Sequence, residues 1–197
     1  MKRLLASIST IIFLSLPALA SAATWNIDPD HSSIGFKIRH LMVSNVKGHF
    51  DKYSGVVDID DKDITKSKAE VSIDTASINT NVQKRDDHLR SADFFDVATY
   101  PTMKFVLKKV AVTGKDKLKV TGDLTLHGIT REVILDVEGP TPEIKDPWGN
   151  IRRGAVATTK INRKDFGVVW NKALEAGGVV VGDEVNITLE VEMIKAK

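Results

Sequence analysis

Cysteine is missing from all 197 residues. That absence removes thiol catalysis, thiolate metal sites, disulfides and redox exchange. A lipid-modified cysteine is equally unexpected. Aromatic residues are sparse, at 6% of the chain. There is no long run of like charge and no basic stripe interleaved with aromatics, so nucleic-acid binding is not expected. The five histidines share no HExxH or other ligand spacing. No serine lies in a nucleophile-elbow context. Gly177-Gly178 lacks a following Lys-Ser/Thr and reads as a turn rather than a phosphate loop. Repeats and low-complexity tracts are absent as well.

The N-terminus is of a different kind from the rest. Lys2 and Arg3 precede a mostly apolar run, Leu4 to Leu16, which is too short to span a bilayer. Pro17 breaks the run, and Ala20-Ser21-Ala22 offers a small-x-small cleavage site. Residues 1–22 are therefore expected to be a secretory signal peptide, with one domain over 23–197 and export to the periplasm. Removing Lys2 and Arg3 takes the 28 basic residues to 26, equal to the 26 acidic ones. The processed chain is formally neutral, and its charge points to no polyanionic partner.

What the chain does have is alternation. Val185, Ile187, Leu189, Val191 and Met193 are apolar, and the residues between them are polar. This is a strand with one oily and one wet face. Similar stretches occur about eight times. Ile34, Phe36 and Ile38 share a face that His40 continues, with Lys37 and Arg39 opposite. Lys47 to Asp60 changes parity near Asp51 to Gly55, which predicts a bulge or break. Ala69, Val71 and Ile73 follow, then Met103, Phe105 and Leu107. Leu118 to Leu126 and Ile129 to Val137 flank a tight turn at His127-Gly128. Ile151 to Ile161 presents small inward residues, Ala155, Ala157 and Thr159.

One segment breaks the rule. Over Thr80 to Phe95, Val82, Leu89, Ala92 and Phe95 fall on one side of a helix. Thr80 or Asn81 would cap it, and it would pack across one end of the sheet. All-strand alternation closes most economically as a barrel, or as two sheets face to face. Small inward residues on one strand leave such an interior underfilled, which favours a container over a packed core.

Arg85, His88 and Arg90 could meet an anionic head group, or simply form a solvated helix face. Phe94, Phe95, Trp148, Phe166 and Trp170 could line a ligand entrance, or pack as ordinary core and loop residues. Histidine-based metal binding is the competing reading.

Read in order, these pieces resemble the YceI-like family. They are Trp25-Asn26-Ile27-Asp28, His31 to Phe36, Gly48-His49-Phe50, Arg85 to Phe95, Tyr100-Pro101, Gly122 to Thr130, and Arg163 to Gly167. The resemblance spans essentially all of residues 23–197. It implies an all-β, eight-stranded antiparallel lipocalin-like barrel with a long apolar cavity and one short helix. It also implies a non-enzymatic periplasmic carrier of a long-chain amphiphile: a polyisoprenoid, such as an isoprenoid quinone or its precursor, or a fatty-acid-like lipid. The alternative is a histidine-based metal-binding or stress-related protein. No catalytic residue, metal or cofactor is expected. The tail would lie along Phe36, Ile38, Val71, Phe105, Leu124, Leu135, Ala155 and Leu189. The head or mouth would involve His40, Arg85, His88, Phe94, Trp148, Trp170 and Asn171. Transient contact with a membrane or membrane protein, and a homodimer, are left open.

Overall fold

The computed structural model describes residues 22–175 and 177–197. The expected leader lies outside them, apart from Ala22. Twelve strands are described: β1 (Ala23–Ile27), β2 (Ser33–His40), β3 (Ser44–Phe50), β4 (Tyr53–Ile59), β5 (Lys68–Asp74), β6 (Ile78–Asn79), β7 (Thr102–Gly114), β8 (Lys117–Leu126), β9 (Ile129–Glu138), β10 (Ile144–Lys145), β11 (Ile151–Asn162) and β12 (Val181–Lys195). One α-helix, α1 (Gln83–Arg90), joins them.

The strand count falls to eight once bent strands are recognised. β1 and β2 both lie along β12, with Trp25 opposite Lys195 and His40 opposite Val181. They are two halves of one strand, interrupted by a 3-10 turn at Pro29–His31. β3 and β4 are halves of the next, broken at Asp51 and Lys52. β5 and β6 are parted by a turn at Thr75–Ser77. The three breaks sit side by side. Asp51 N–H donates to Ser77 O at 3.1 Å, and Asp74 N–H to Lys52 O at 2.9 Å. The Tyr53 hydroxyl donates to Ser32 O at 2.5 Å.

Each break shifts the pleat by one residue and flips which parity faces inward. Trp25 and Ile59 are buried on odd positions, Ile34 and Phe50 on even ones. The expected fault near Asp51 is thus one of three. β7 has a similar irregularity between Leu107 and Lys109, which moves the inward face from Met103 and Phe105 to Val110.

The sheet closes through β11 and β12, which pair continuously from Arg152 and Ile194 to Asn162 and Glu184. The result is a closed eight-stranded antiparallel barrel with one helix, as expected. The two-residue turn at His127-Gly128 also forms as expected, with φ of +51° and +73°.

The helix differs from expectation at both ends. It stops at Arg90, and Phe94 and Phe95 follow in turns rather than on a helical face. Val82 occupies the capping position with no side-chain bond. Asn81 adopts φ +61° instead. Thr80 is otherwise engaged: its N–H and hydroxyl both donate to Asp86 Oδ1.

One barrel end is sealed. Trp25, Ile59 and Met193 pack together with Ile64 and Ile151. The Arg153 guanidinium lies 5.2 Å from the centre of the Trp25 ring, and Lys195 Nζ lies 5.5 Å from it. Beside this floor, Arg152 ties three parts of the chain together. It donates to Asp28 Oδ2 at 2.6 Å, Asp146 Oδ2 at 2.7 Å and Glu192 Oε1 at 2.5 Å.

Burial pushes the Asp146 carboxyl up, but bonds from Arg152, Asn150 and the Trp148 N–H outweigh it and hold the group well below the usual carboxylate range. Asp28 is lowered by the same balance of burial against Arg152, His31 and the Asp30 N–H. Two lowered carboxyls stabilise the fold fully above the ordinary value of 3.8 and lose that contribution as pH falls toward their folded values. His31, raised by its bond to Asp28, works the other way: its contribution is complete below 6.5 and lost as pH rises through its raised value.

Melting of the wild type and Asp146→Asn from about pH 7 down to about pH 2.5 checks the arrangement. The variant is expected to have the lower Tm at neutral pH, with the gap narrowing below about pH 4. A gap that stays constant across the range would show that Asp146 is not an ionised partner of Arg152.

Candidate functional site

The barrel encloses a cavity of about 710 Å³, within the usual span for small-molecule sites. It exists because several inward positions are small. Ala155, Ala157 and Thr159 line it from β11, and Ala69 from β5. Gly122 shapes it differently: a Cβ there would stand 2.3 Å from Phe105 Cζ. The Phe105 ring lies across the neighbouring strand in the space a side chain would fill.

The wall is apolar almost throughout. Of the polar residues on the lining, Ser67 accepts from the Asp60 N–H and Thr159 donates to Ile134 O. Both hydroxyls are therefore engaged with backbone. Along the wall, a guest would find hydrocarbon and few polar partners.

The other polar lining residues gather at the end opposite Trp25, where β12 begins and β2 ends. They are Arg39, His40, Lys84, Arg85, His88 and Arg163. No aspartate or glutamate lines the cavity, so each of the four lysine and arginine side chains on its wall is a cation unmatched by an acid on that wall.

These cations have different freedoms. Arg163 is buried and donates to the backbone oxygens of Gly182 and Val168, and desolvation lowers its pKa. It fastens the 168–182 segment to the barrel. Arg85 donates to the Thr80 hydroxyl and carbonyl. Arg39 donates to Met42 O at 2.7 Å. Lys84 makes no ion pair among the described residues. α1 thus brings Lys84, Arg85 and His88 to the opening. His88 Nε2 lies 2.9 Å from Asp93 Oδ2, and its ring stacks edge-on against Phe94 and Trp170 at 5.0 and 5.1 Å. Those three rings form one jamb of the mouth.

All eight residues expected along a tail line the cavity: Phe36, Ile38, Val71, Phe105, Leu124, Leu135, Ala155 and Leu189. Of the mouth set, His40, Arg85, His88, Phe94 and Trp170 border it. Two do not. Trp148 is 81% exposed, in the loop beside Arg152 at the sealed end. Asn171 is outside the lining, and its amide is used up on backbone, donating to Val181 O and accepting from the N–H groups of Val181 and Lys172. Arg90 is likewise structural, donating to Ala76 O and Ile78 O.

Arg39, Lys84 and Arg163 were not anticipated. Strand parity assigns Arg39 to the outer face, but it stands one residue before the end of β2, where its side chain turns to the hairpin. Arg163 follows β11 in a 3-10 turn, where a period-two reading stops applying.

The histidines do not assemble. Among the described residues one group has metal-ligand spacing, Asp28, His31 and Glu192, with ligand atoms within 4.8 Å of one another. It contains a single histidine, and Arg152 already bonds both carboxylates. A cation there would have to displace the guanidinium.

Comparison with known proteins agrees with this architecture. A family model described as the YceI-like domain matches residues 25–193. A protein of Vibrio cholerae named only as a UPF0312 protein is 40% identical over 170 residues, covering 85% of this chain and 89% of its own. The YceI protein of Campylobacter jejuni superposes with a TM-score of 0.67 at 36% identity, over 82% of this chain and 91% of that one. A Saccharophagus degradans domain described as polyisoprenoid-binding shares the fold at a TM-score of 0.62 and 18% identity, over 89% of this chain and 99% of that one. With the match running from Trp25, on the barrel floor, to Met193, near the end of the closing strand, the chain belongs to the YceI-like family.

Proposed function

We propose that this protein is a non-enzymatic periplasmic carrier of one long-chain amphiphile, a polyisoprenoid or a fatty-acid-like lipid. The tail occupies the barrel, and the polar head stays at the mouth beside α1. The observation that carries the reading is the division of the cavity wall: nearly unbroken hydrocarbon inside, and at one end the cations Arg39, Lys84 and Arg85, with Arg163 paired to Asp183 behind them. The polyisoprenoid binding ascribed to the Saccharophagus degradans domain adds a candidate tail. The basic start, apolar run and small-residue cleavage site over residues 1–22 support export.

Energetics favour a long tail. Each buried methylene is worth about 0.8 kcal/mol, so twelve give roughly 10 kcal/mol. Association costs on the order of 4–15 kcal/mol offset much of that. Affinity is then set mainly by tail length, and the cations orient the ligand. Arg85 and Lys84, one helical turn before His88 on α1, are the groups an acidic or strongly polar head would meet.

Native mass spectrometry of the purified protein, followed by organic extraction, tests the reading. A single co-purifying long-chain amphiphile is expected. A clean mass together with failure to take up added prenyl or fatty lipid would contradict it. A stoichiometric metal instead would favour the histidine alternative.

The tail path has its own test in Ala155→Leu with Ala157→Leu. These add three carbons each to the void. Displacing even two methylenes of tail costs about 1.6 kcal/mol, more than a tenfold loss of affinity. The variant is expected to fold, filling space rather than overpacking it. Unchanged affinity for the same lipid would mean that the tail does not run past β11.

A further inference from the structure

The hairpin joining β2 to β3 is built from the wrong residues for its backbone. Val43 N–H donates to His40 O at 3.1 Å, and the two residues enclosed, Leu41 and Met42, have φ of +49° and +60°. Such primed turns favour Asn and Gly, because positive φ crowds a Cβ. The rest of the chain obeys that rule. The other non-glycine residues with positive φ are Asn81, Asp96, Asp116 and His127, all types that tolerate it. Leu41 and Met42 are the exceptions.

They are also exposed. Leu41 is 39%, Met42 51% and Val43 75% accessible. Three consecutive apolar side chains at a hairpin tip therefore carry both backbone strain and unfavourable hydration. Both costs are borne at the cavity mouth. Leu41 N–H donates to Val180 O, and Val180 lines the cavity. Val82, a lining residue before α1, is 47% exposed on the same rim. Behind the tip stand Arg39, which donates to Met42 O, together with Lys84 and Arg85. Of the nearby acids, Asp86 is buried against Thr80, Asp87 is paired with Arg90, Asp93 with His88, and Asp183 with Arg163 and Lys164.

Apolar tips in front of a cationic collar match one partner chemistry, a bilayer surface with anionic lipid. The tips enter the acyl boundary, and the bases meet phosphates. We propose that the Leu41–Val43 tip inserts into such a surface and holds the barrel mouth against the membrane while the ligand passes. The proposal rests on the carrier reading and adds where exchange occurs.

The test is flotation of the purified protein, bearing whatever N-terminus the cell leaves on it, with two kinds of vesicle. One is phosphatidylcholine alone; the other is phosphatidylcholine mixed with phosphatidylglycerol. The wild type is expected to float with the mixed vesicles and much less with the neutral ones. The triple variant Leu41→Asn, Met42→Gly, Val43→Ser is expected to lose flotation at least tenfold. Its Tm is expected to be unchanged or raised, because Asn-Gly suits the turn. Lys84→Glu is expected to weaken binding to the mixed vesicles only. Wild-type protein that floats with neither vesicle overturns the proposal and redirects the tip to a protein partner. A triple variant that floats like the wild type overturns it too. Uptake of detergent-dispersed lipid, measured separately, keeps the two readings apart. The triple variant should retain uptake, whereas vesicle binding without any uptake would remove the carrier reading and leave the docking.

Discussion

A closed eight-stranded sheet has an interior whose size is set by strand number and tilt rather than by the side chains that happen to point inward. Filling that interior takes large residues on every strand, and this chain does not supply them. Ala69, Ala155, Ala157 and Thr159 face the void, and Gly122 gives its place to the Phe105 ring. Backbone hydrogen bonds around the barrel keep the sheet from collapsing onto the gap. The void therefore persists as a permanent apolar space, and the rest of the structure is arranged around its two ends.

Those ends are built in opposite ways. At the floor, Trp25 is fully buried under two cations, and Arg152 gathers the carboxylates of the first turn, the 146–150 loop and the last strand. Removing Arg152 would leave Asp28 and Asp146 as buried charges without their partner, so the cluster resists opening. Beside that cluster, three adjacent strands break at Pro29–His31, Asp51–Lys52 and Thr75–Ser77. Beyond those breaks, the opening is bordered by a short helix, a hairpin tip and a loop. The floor is ion-paired, and the mouth is made of small separate parts.

Much of this was legible in the sequence, because a period of two reports directly which residues face inward. All eight residues expected along a tail line the cavity and follow from alternation, and the His127-Gly128 turn follows from its residue types. The alternation also showed where it failed: the parity change between Phe50 and Val57 is a real break in the strand. What stayed hidden depends on contacts between distant segments. Trp148 was one of several aromatics that could line an entrance, but the bond between Asp146 and Arg152 carries its loop to the floor. Asn171 looked free to meet a ligand, yet Val181, ten residues on, takes up its amide. Arg39 was assigned outward by parity, a rule that ends where the strand does. The helix cap failed for a related reason: Thr80 is held by Asp86 and Arg85.

The central claim is an orientation, with the tail toward Trp25 and the head at α1. The chain's three tryptophans stand at places that report it. Trp25 lies under the floor, Trp170 at the mouth, and Trp148 outside the cavity. Fluorescence of single-tryptophan forms should be measured with fatty acids brominated either at the chain terminus or near the carboxyl group. The account predicts that terminal bromine quenches Trp25, that bromine near the carboxyl quenches Trp170, and that Trp148 responds to neither. Quenching of Trp148, or the reverse pattern between Trp25 and Trp170, would contradict it.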